Sequence, residues 1–233
     1  EVDFYVFNQK ADLSILRKEY DIKVWTEAAN EGNVDNDTID TYSVVNETQR
    51  TNYRETFEGF KDADCGAILG QVMDKGWTSS GWHVQSSFCG KNDGVTPRPN
   101  SGPAGDHTTG DGMFIYAPGS NATFESPCID LQPNTEARFS FWYHKYGTGI
   151  GTIAVQTDTG NGFRTLSTVP PGQTQTSERD LWSLHVVNLN AFVGKTFRLR
   201  LFSSGQGDMA VDDIFLYAPI AKDVAITDII SPG

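Results

Sequence analysis

Apolar and polar residues alternate in short runs along most of the chain, and Gly, Asn, Asp, Pro and Ser punctuate the runs every few positions. A period of two is the mark of a strand with one buried face, and helix-period patterning is almost absent. Residues 137–146 (ARFSFWYHKY) form the strongest run: Phe139, Phe141 and Tyr143 share one face, Ser140, Trp142 and His144 the other. Residues 20–26 (YDIKVWT) set Tyr20, Ile22 and Val24 against Asp21, Lys23 and Trp25. Further strands are expected at 38–45, 113–116, 122–128, 152–157, 182–189, 196–202 and 207–217. The Gly-rich 147–151 is expected to join 137–146 to 152–157 as a hairpin, and Ser126–Pro127 to stop the run that precedes it. So many short strands at turn-like spacing predict an all-β sandwich or jelly roll.

One strand breaks its own pattern. In 207–217 (GDMAVDDIFLY), Met209, Val211, Ile214, Phe215, Leu216 and Tyr217 suit a buried strand, but Asp212 and Asp213 sit in the middle. Strict alternation would send the two carboxylates to opposite faces, leaving one of them at the core or its rim. A carboxylate there is costly unless it is hydrogen-bonded, paired or metal-bound. Two roles stay open: holding a structural cation, or accepting hydrogen bonds from a neighbouring loop.

The pattern also divides the chain. Residues 1–50 hold an apolar run at 4–7, the strand at 20–26, an acidic Asn-rich loop at 27–37 and the strand at 38–45. Three strands are too few for a sandwich core of their own. A main domain is expected over 51–219 and a spare strand within 220–233. Residues 61–112 are long, Gly-rich and poorly periodic, which points to a functional or ion-tethered segment. Trp77 and Trp82 fall in it and are candidate ligand-contacting aromatics, with core packing as the alternative.

Composition narrows the function. Thirty acids against 18 bases give a net charge of −12, which argues against nucleic acid or an anionic membrane as partner and suits divalent cations. No run approaches the roughly 20 apolar residues of a membrane helix, so no membrane insertion is expected. With neither an initiator Met nor a signal sequence at its start, the chain reads as a processed or excised piece. Cys65, Cys89 and Cys128 make no CxxC pair, so zinc is not expected. Cys65 and Cys89 both lie in Gly-rich loops and form the candidate disulfide, as an extracellular setting would allow; three free thiols are the alternative. Four scattered histidines, no G-x-S-x-G elbow and no H-E-x-x-H helix predict that the protein is not an enzyme.

Several motifs in order resemble the MAM domain, the extracellular module of meprins, neuropilins and receptor tyrosine phosphatases. They are TFEGF at 56–60, GPAGDHTTGDG at 102–112, Ser126–Pro127, the 139–147 run with 151–155, the stretch at 180–182, and GDMAVDDIFL at 207–216. The resemblance implies a jelly-roll β-sandwich used for adhesion or assembly. It also implies a cation site tying the start of the domain to its end, with Glu58, Asp106 and Asp212 as ligands and Asp213 as a further candidate. An all-oxygen set suits calcium, which takes about 6–8 oxygens, with sodium as the other candidate. The family's four-cysteine arrangement is not reproduced: Arg138 stands where a family cysteine often sits, so the pairing of Cys65 with Cys89 is read from this chain alone.

The flanks carry a second resemblance. Residues 20–25 with 32–38, and DVAITDIISP at 223–232, look like pieces of the Ig-like repeats of long bacterial surface proteins. Residues 37–39 (DTI) resemble the O-glycosylation sequon of such bacteria, which makes Thr38 the candidate acceptor. Together these imply a cation-stabilised, non-catalytic adhesion module of a bacterial cell-surface protein exported by the type IX route. Its partners would be protein or glycan on a cell surface, and neighbouring repeats or chains by strand addition. The alternatives are a spacer in a repeat fibre, or a glycan-binding accessory domain of a secreted protease or glycosidase.

Overall fold

A computed structural model describes residues 19–25, 38–45, 48–49, 52–72, 76–87, 89, 98–119, 121–131 and 136–217. The chain divides into two units, Glu1–Thr48 and Gln49–Gly233. In the first, β1 (Glu19–Trp25) and β2 (Thr38–Val45) pair antiparallel, with a register shift between Ile22 and Val24. The runs at 4–7 and 223–232 lie outside the described residues. The two-residue strand β3 (Thr48–Gln49) spans the boundary.

The second unit contains β4 (Tyr53–Glu55), the one-turn helix α1 (Leu69–Val72), β5 (Thr78–Ser80), β6 (His83–Ser86), β7 (Met113–Ala117), β8 (Thr123–Glu125) and β9 (Cys128–Asp130). It continues with β10 (Arg138–His144), β11 (Thr152–Asp158), β12 (Arg164–Thr168), β13 (Ser183–Asn188), β14 (Thr196–Ser204) and β15 (Met209–Tyr217). They form two antiparallel sheets. One runs β13-β10-β15-β7-β6, with β4 beside the second half of β15; the other runs β12-β11-β14-β8-β5, with β9 beside the start of β14. This is the expected all-β jelly-roll sandwich.

Alternation builds the core. Along β14, Phe197, Leu199 and Leu201 point inward while Arg198, Arg200 and Phe202 point out. From the facing sheet Phe139, Phe141, Val211, Ile214 and Leu216 meet them. Ser126 and Pro127 separate β8 from β9, and the Ser126 hydroxyl accepts the Leu199 N–H at 2.9 Å, closing the break in the ladder.

The structure corrects three expectations. β11 pairs with β12 and β14, not with β10, so residues 147–151 cross from one sheet to the other. A hairpin and a crossover use the same turn residues, and only the choice of inter-sheet partner separates them. Within 61–112, β5 and β6 are too short for a period to show. His144, which lies on the face of β10 opposite Phe139, Phe141 and Tyr143 and is expected at a strand surface as a histidine without a catalytic partner, is fully buried, because a loop covers that face of β10.

Candidate functional site

The site begins at a β-bulge. Opposite β10, Ser140 pairs with Phe215 and Trp142 with Asp212, so β15 carries one residue more than its partner across this step. The extra residue is Asp213, with φ at +46°, and the bulge turns both carboxylates toward one loop instead of to opposite faces. That loop, residues 105–112, folds over the outer side of the first sheet. The Asp212 carboxylate accepts the His107 N–H at 2.8 Å and the Asp213 N–H at 2.7 Å. Asp213 accepts from His107 Nδ1 at 2.7 Å and from the Thr108 hydroxyl.

Asp106 shapes the loop from within. Its carboxylate accepts the N–H groups of Thr108 and Thr109 at 2.9 Å each and of Gly112 at 2.7 Å, together with the Thr109 hydroxyl at 2.9 Å. Burial opposes the charge, but these donors outweigh it and hold the carboxyl below its usual range. The loop closes tightly enough that a Cβ on Gly105 would lie 1.9 Å from the Gly110 carbonyl oxygen. A Cβ on Gly112 would lie 2.2 Å from Glu58 Oε1, which accepts the Met113 N–H at 3.2 Å.

All four predicted acids therefore converge. Glu58 comes from the turn after β4, not from a strand; Asp106 comes from the loop; Asp212 and Asp213 come from the bulge. Burial raises the Glu58 carboxyl, and the neighbouring Asp106 adds to the rise. Burial pushes Asp212 up to about 8, with the charges of Asp213 and Asp106 contributing. One Asp213 oxygen, Oδ1, is buried without a hydrogen-bond donor, and the exposed Arg54 guanidinium lies 3.8 Å from it. Of the two roles left open by the sequence, hydrogen bonding to a loop is the one described here. A cation fits the remaining chemistry: the donors are all oxygen, negative charge is in excess, and one buried lone pair is unused. Among the described residues, however, no three acid, His or Cys side chains already stand close enough to ligate one ion by themselves.

Beside the acids a cleft of about 440 Å³ opens between residues 104–110 and 178–182. The Ala104 N–H donates to the Glu178 carbonyl at 2.7 Å and joins its two walls. His107 stacks on Trp142 with ring centres 3.9 Å apart and meets Trp182 edge-on at 6.3 Å. Trp182 also packs on Phe114, Tyr116 and Ala210, a small second core on the outer face of this sheet. Asp180 holds the other wall by accepting from the Thr176 and Ser177 hydroxyls and N–H groups, which keep its carboxyl well below the usual range. Residues 180–182 match a family motif in the sequence, yet no site expected from it included this second wall.

Trp77 and Trp82 do not form a ligand platform. Trp77 is 5% exposed and stacks between Tyr53 and Phe124 at 5.2 and 4.6 Å; Trp82 is fully buried. They lie on short segments that pair with the sandwich, and the apolar area of an indole drives it into the core. A disulfide joins Cys65 to Cys89, with Cα atoms 5.8 Å apart, and Cys128 is free. Thr38 opens β2 opposite Trp25.

Comparison with known proteins places these features. Neuropilin-1a of Danio rerio is 41% identical over 91 residues, 35% of this chain and 9% of that protein. MAM domain-containing protein 2 of Mus musculus is 33% identical over 82 residues, 33% of this chain and 11% of that protein. The chain thus matches only about a tenth of the length of these relatives. Among solved structures, the K1 cleaved adhesin domain of Lys-gingipain from Porphyromonas gingivalis aligns with a TM-score of 0.46 and 16% identity, covering 72% of this chain and 99% of that one. A family 6 carbohydrate-binding module aligns with a TM-score of 0.41 and 13% identity over 74% and 98%. Residues 56–219 match the model of the MAM domain, meprin/A5/mu, which spans the bulge, the acid-bearing loop and both sheets, and the chain belongs to the MAM domain family.

Proposed function

We propose that this chain is a non-catalytic extracellular binding module whose contact site is the cleft between residues 104–110 and 178–182, held in shape by a bound cation. The observation that carries the reading is the convergence of Glu58, Asp106, Asp212 and Asp213 under the same loop that carries His107 to the cleft. Calcium, or sodium in its place, would neutralise the acid excess and use the free Asp213 oxygen. Loop carbonyls would complete its shell. The cation supplies charge and rigidity here, and the chain's own residues supply recognition.

The cleft's chemistry supports binding and not turnover. Asp213 orients the His107 ring, Trp142 clamps it flat, and the nearby Thr108 hydroxyl is committed to Asp213 and not to the imidazole. Trp182 and Leu181 give the rim an apolar side, and Glu178 and Arg179 a polar one. A mixed rim of this kind suits protein or glycan on a cell surface. Family membership supports an extracellular setting. The repeat-like flanks and the Thr38 sequon support a bacterial surface protein of the type IX export class.

Thermal unfolding with calcium and with chelator, on the wild type and Asp212→Ala, tests the cation. A ligand bound to the folded state alone adds about 2.7 kcal/mol at a hundredfold excess over its Kd. A calcium-dependent rise in midpoint that Asp212→Ala abolishes is expected; the same midpoint in calcium and chelator would overturn calcium, and the same midpoint in sodium and potassium buffers as well would overturn the cation. Panels of immobilised glycans and extracellular proteins, probed with wild type and His107→Ala, test the cleft. Binding that His107→Ala leaves unchanged would remove it as the contact site. No binding on any panel would favour the spacer role.

A further inference from the structure

We propose that Arg54 is a displaceable counter-ion of the acid site: its guanidinium and a bound cation compete for the unused oxygen of Asp213. Arg54 thereby sets how much cation the loop at 105–112 needs. The proposal rests on the reading of the four acids as a cation site and adds the residue that regulates it.

Strand pairing fixes where Arg54 stands. In the ladder between β4 and β15, Arg54 lies opposite Phe215 and Glu55 opposite Ile214. Tyr53 is buried in the core, so alternation sends Arg54 to the outer face of the sheet. Asp213 precedes this paired stretch, and the bulge turns its carboxylate to the same side. The Arg54 guanidinium carbon lies 5.1 Å from the centre of the Phe215 ring, and one guanidinium nitrogen lies 3.8 Å from Asp213 Oδ1. Among the described residues, Arg54 is the one arginine or lysine within ion-pair distance of Glu58, Asp106, Asp212 or Asp213. Glu55, its chain neighbour, is engaged in its own turn, where it accepts the Phe57 N–H at 2.9 Å and the Tyr53 hydroxyl at 3.2 Å.

The two partners differ in what they need. The Asp213 side chain is 4% exposed, and its Oδ1 accepts no hydrogen bond. Its other oxygen already takes His107 Nδ1 and the Thr108 hydroxyl. Oδ1 is therefore the atom that wants a counter-charge, because a buried carboxylate oxygen without one is costly. Arg54, by contrast, is 59% exposed and too far away to donate a hydrogen bond. It keeps most of its hydration in either position, so moving away costs it little, and the face of Phe215 holds it nearby. A guanidinium has donors only and cannot become a ligand. Next to a cation on the same oxygen it is a like charge and must withdraw. Because the pair is largely solvated, its effect on cation affinity is several-fold and not many orders of magnitude.

The test is calorimetric titration of the full chain with calcium, in choline chloride so that no sodium competes. Sodium chloride is titrated in the same way where calcium gives no heat. Wild type, Arg54→Gln and Arg54→Lys are compared. Arg54→Gln is expected to bind the ion about threefold or more tighter than wild type. Arg54→Lys keeps the charge and should stay nearer to wild type. The gain in Arg54→Gln should shrink as choline chloride is raised, because salt screens the repulsion that was removed. Thermal unfolding adds a readout of opposite sign. In chelator Arg54→Gln should melt below wild type, since Asp213 loses its counter-charge, and saturating ion should narrow that gap. A purely structural Arg54 would instead lose stability and affinity together. Affinity in Arg54→Gln equal to or weaker than wild type would overturn the proposal and leave the cation site standing. So would Arg54→Lys and Arg54→Gln binding equally tightly, which would trace the gain to shape and not charge. No binding of either ion by wild type or Arg54→Gln would overturn the proposal and the cation reading together.

Discussion

Replacing Lys145 by Met should make the folded protein more stable at neutral pH and less stable at high pH. Lys145 follows β10 and is fully buried; its ammonium group donates to the Pro170 carbonyl, and its N–H donates to Gln175 Oε1 at 2.7 Å. Burial lowers the amine from 10.5 to about 8. At about 1.4 kcal/mol per pH unit, that gap sets the cost of holding the charge inside at about 3 kcal/mol. Below pH 8 the folded protein carries the full cost. Between pH 8 and 10.5 the unfolded chain binds the proton and the folded one does not, so wild-type stability rises with pH across this window. Methionine has nearly the same shape and no charge, but it leaves the Pro170 carbonyl without a donor, a loss of about 1–3 kcal/mol. The net expectation is a gain of about 1 kcal/mol at pH 7, turning into a loss of about 2 kcal/mol by pH 10.5. The change of about 3 kcal/mol between the two ends does not depend on the carbonyl term. Urea unfolding of both proteins, followed by the fluorescence of Trp77, Trp82, Trp142 and Trp182 in the second unit, measures it at a series of pH values. Other lysines and the tyrosines titrate alike in the two proteins and cancel. A stability difference that stays flat from pH 7 to 10.5 would refute the reasoning and mean that an anion neutralises Lys145.

Three further outcomes are expected. Cys65→Ser with Cys89→Ser should lower stability by about 2–4 kcal/mol, with the wild type falling to match under reductant in a thermal melt. Trp77→Ala, which empties the stack between Tyr53 and Phe124, should cost about 3–5 kcal/mol in urea unfolding and leave the shift between calcium and chelator unchanged. Gly105→Ala puts a methyl group on the Gly110 carbonyl; it should cost about 2 kcal/mol and move the NMR resonances of His107, whose ring-current environment depends on the Trp142 stack.

Most of the architecture was readable in the residue pattern, because alternation reports which face of a strand is buried regardless of what buries it. The runs that became β10, β14 and β15 alternate, or nearly so, and two of the three keep one face for the core throughout. The four acids could be named together because a carboxylate in an apolar or Gly-rich run needs a local reason, and the family motif tied three of them to one site. The disulfide could be suggested because both cysteines stand in glycine-rich loops of one segment.

Other features depend on partners that no local pattern encodes. Asp212 and Asp213 were expected on opposite faces, and the bulge turns them to one, since a bulge belongs to the pairing with β10 and not to β15 alone. Residues 147–151 look the same as a hairpin turn or as a crossover; the difference lies in β11 choosing β14. Trp77 and Trp82 are aromatic residues in a loop-like stretch, and whether such residues face solvent or core is set by how the stretch folds back. The cleft between residues 104–110 and 178–182 and the stack of His107 on Trp142 join residues distant along the chain. Sequence period records how each segment divides its own faces, while long-range packing determines which segments those faces meet.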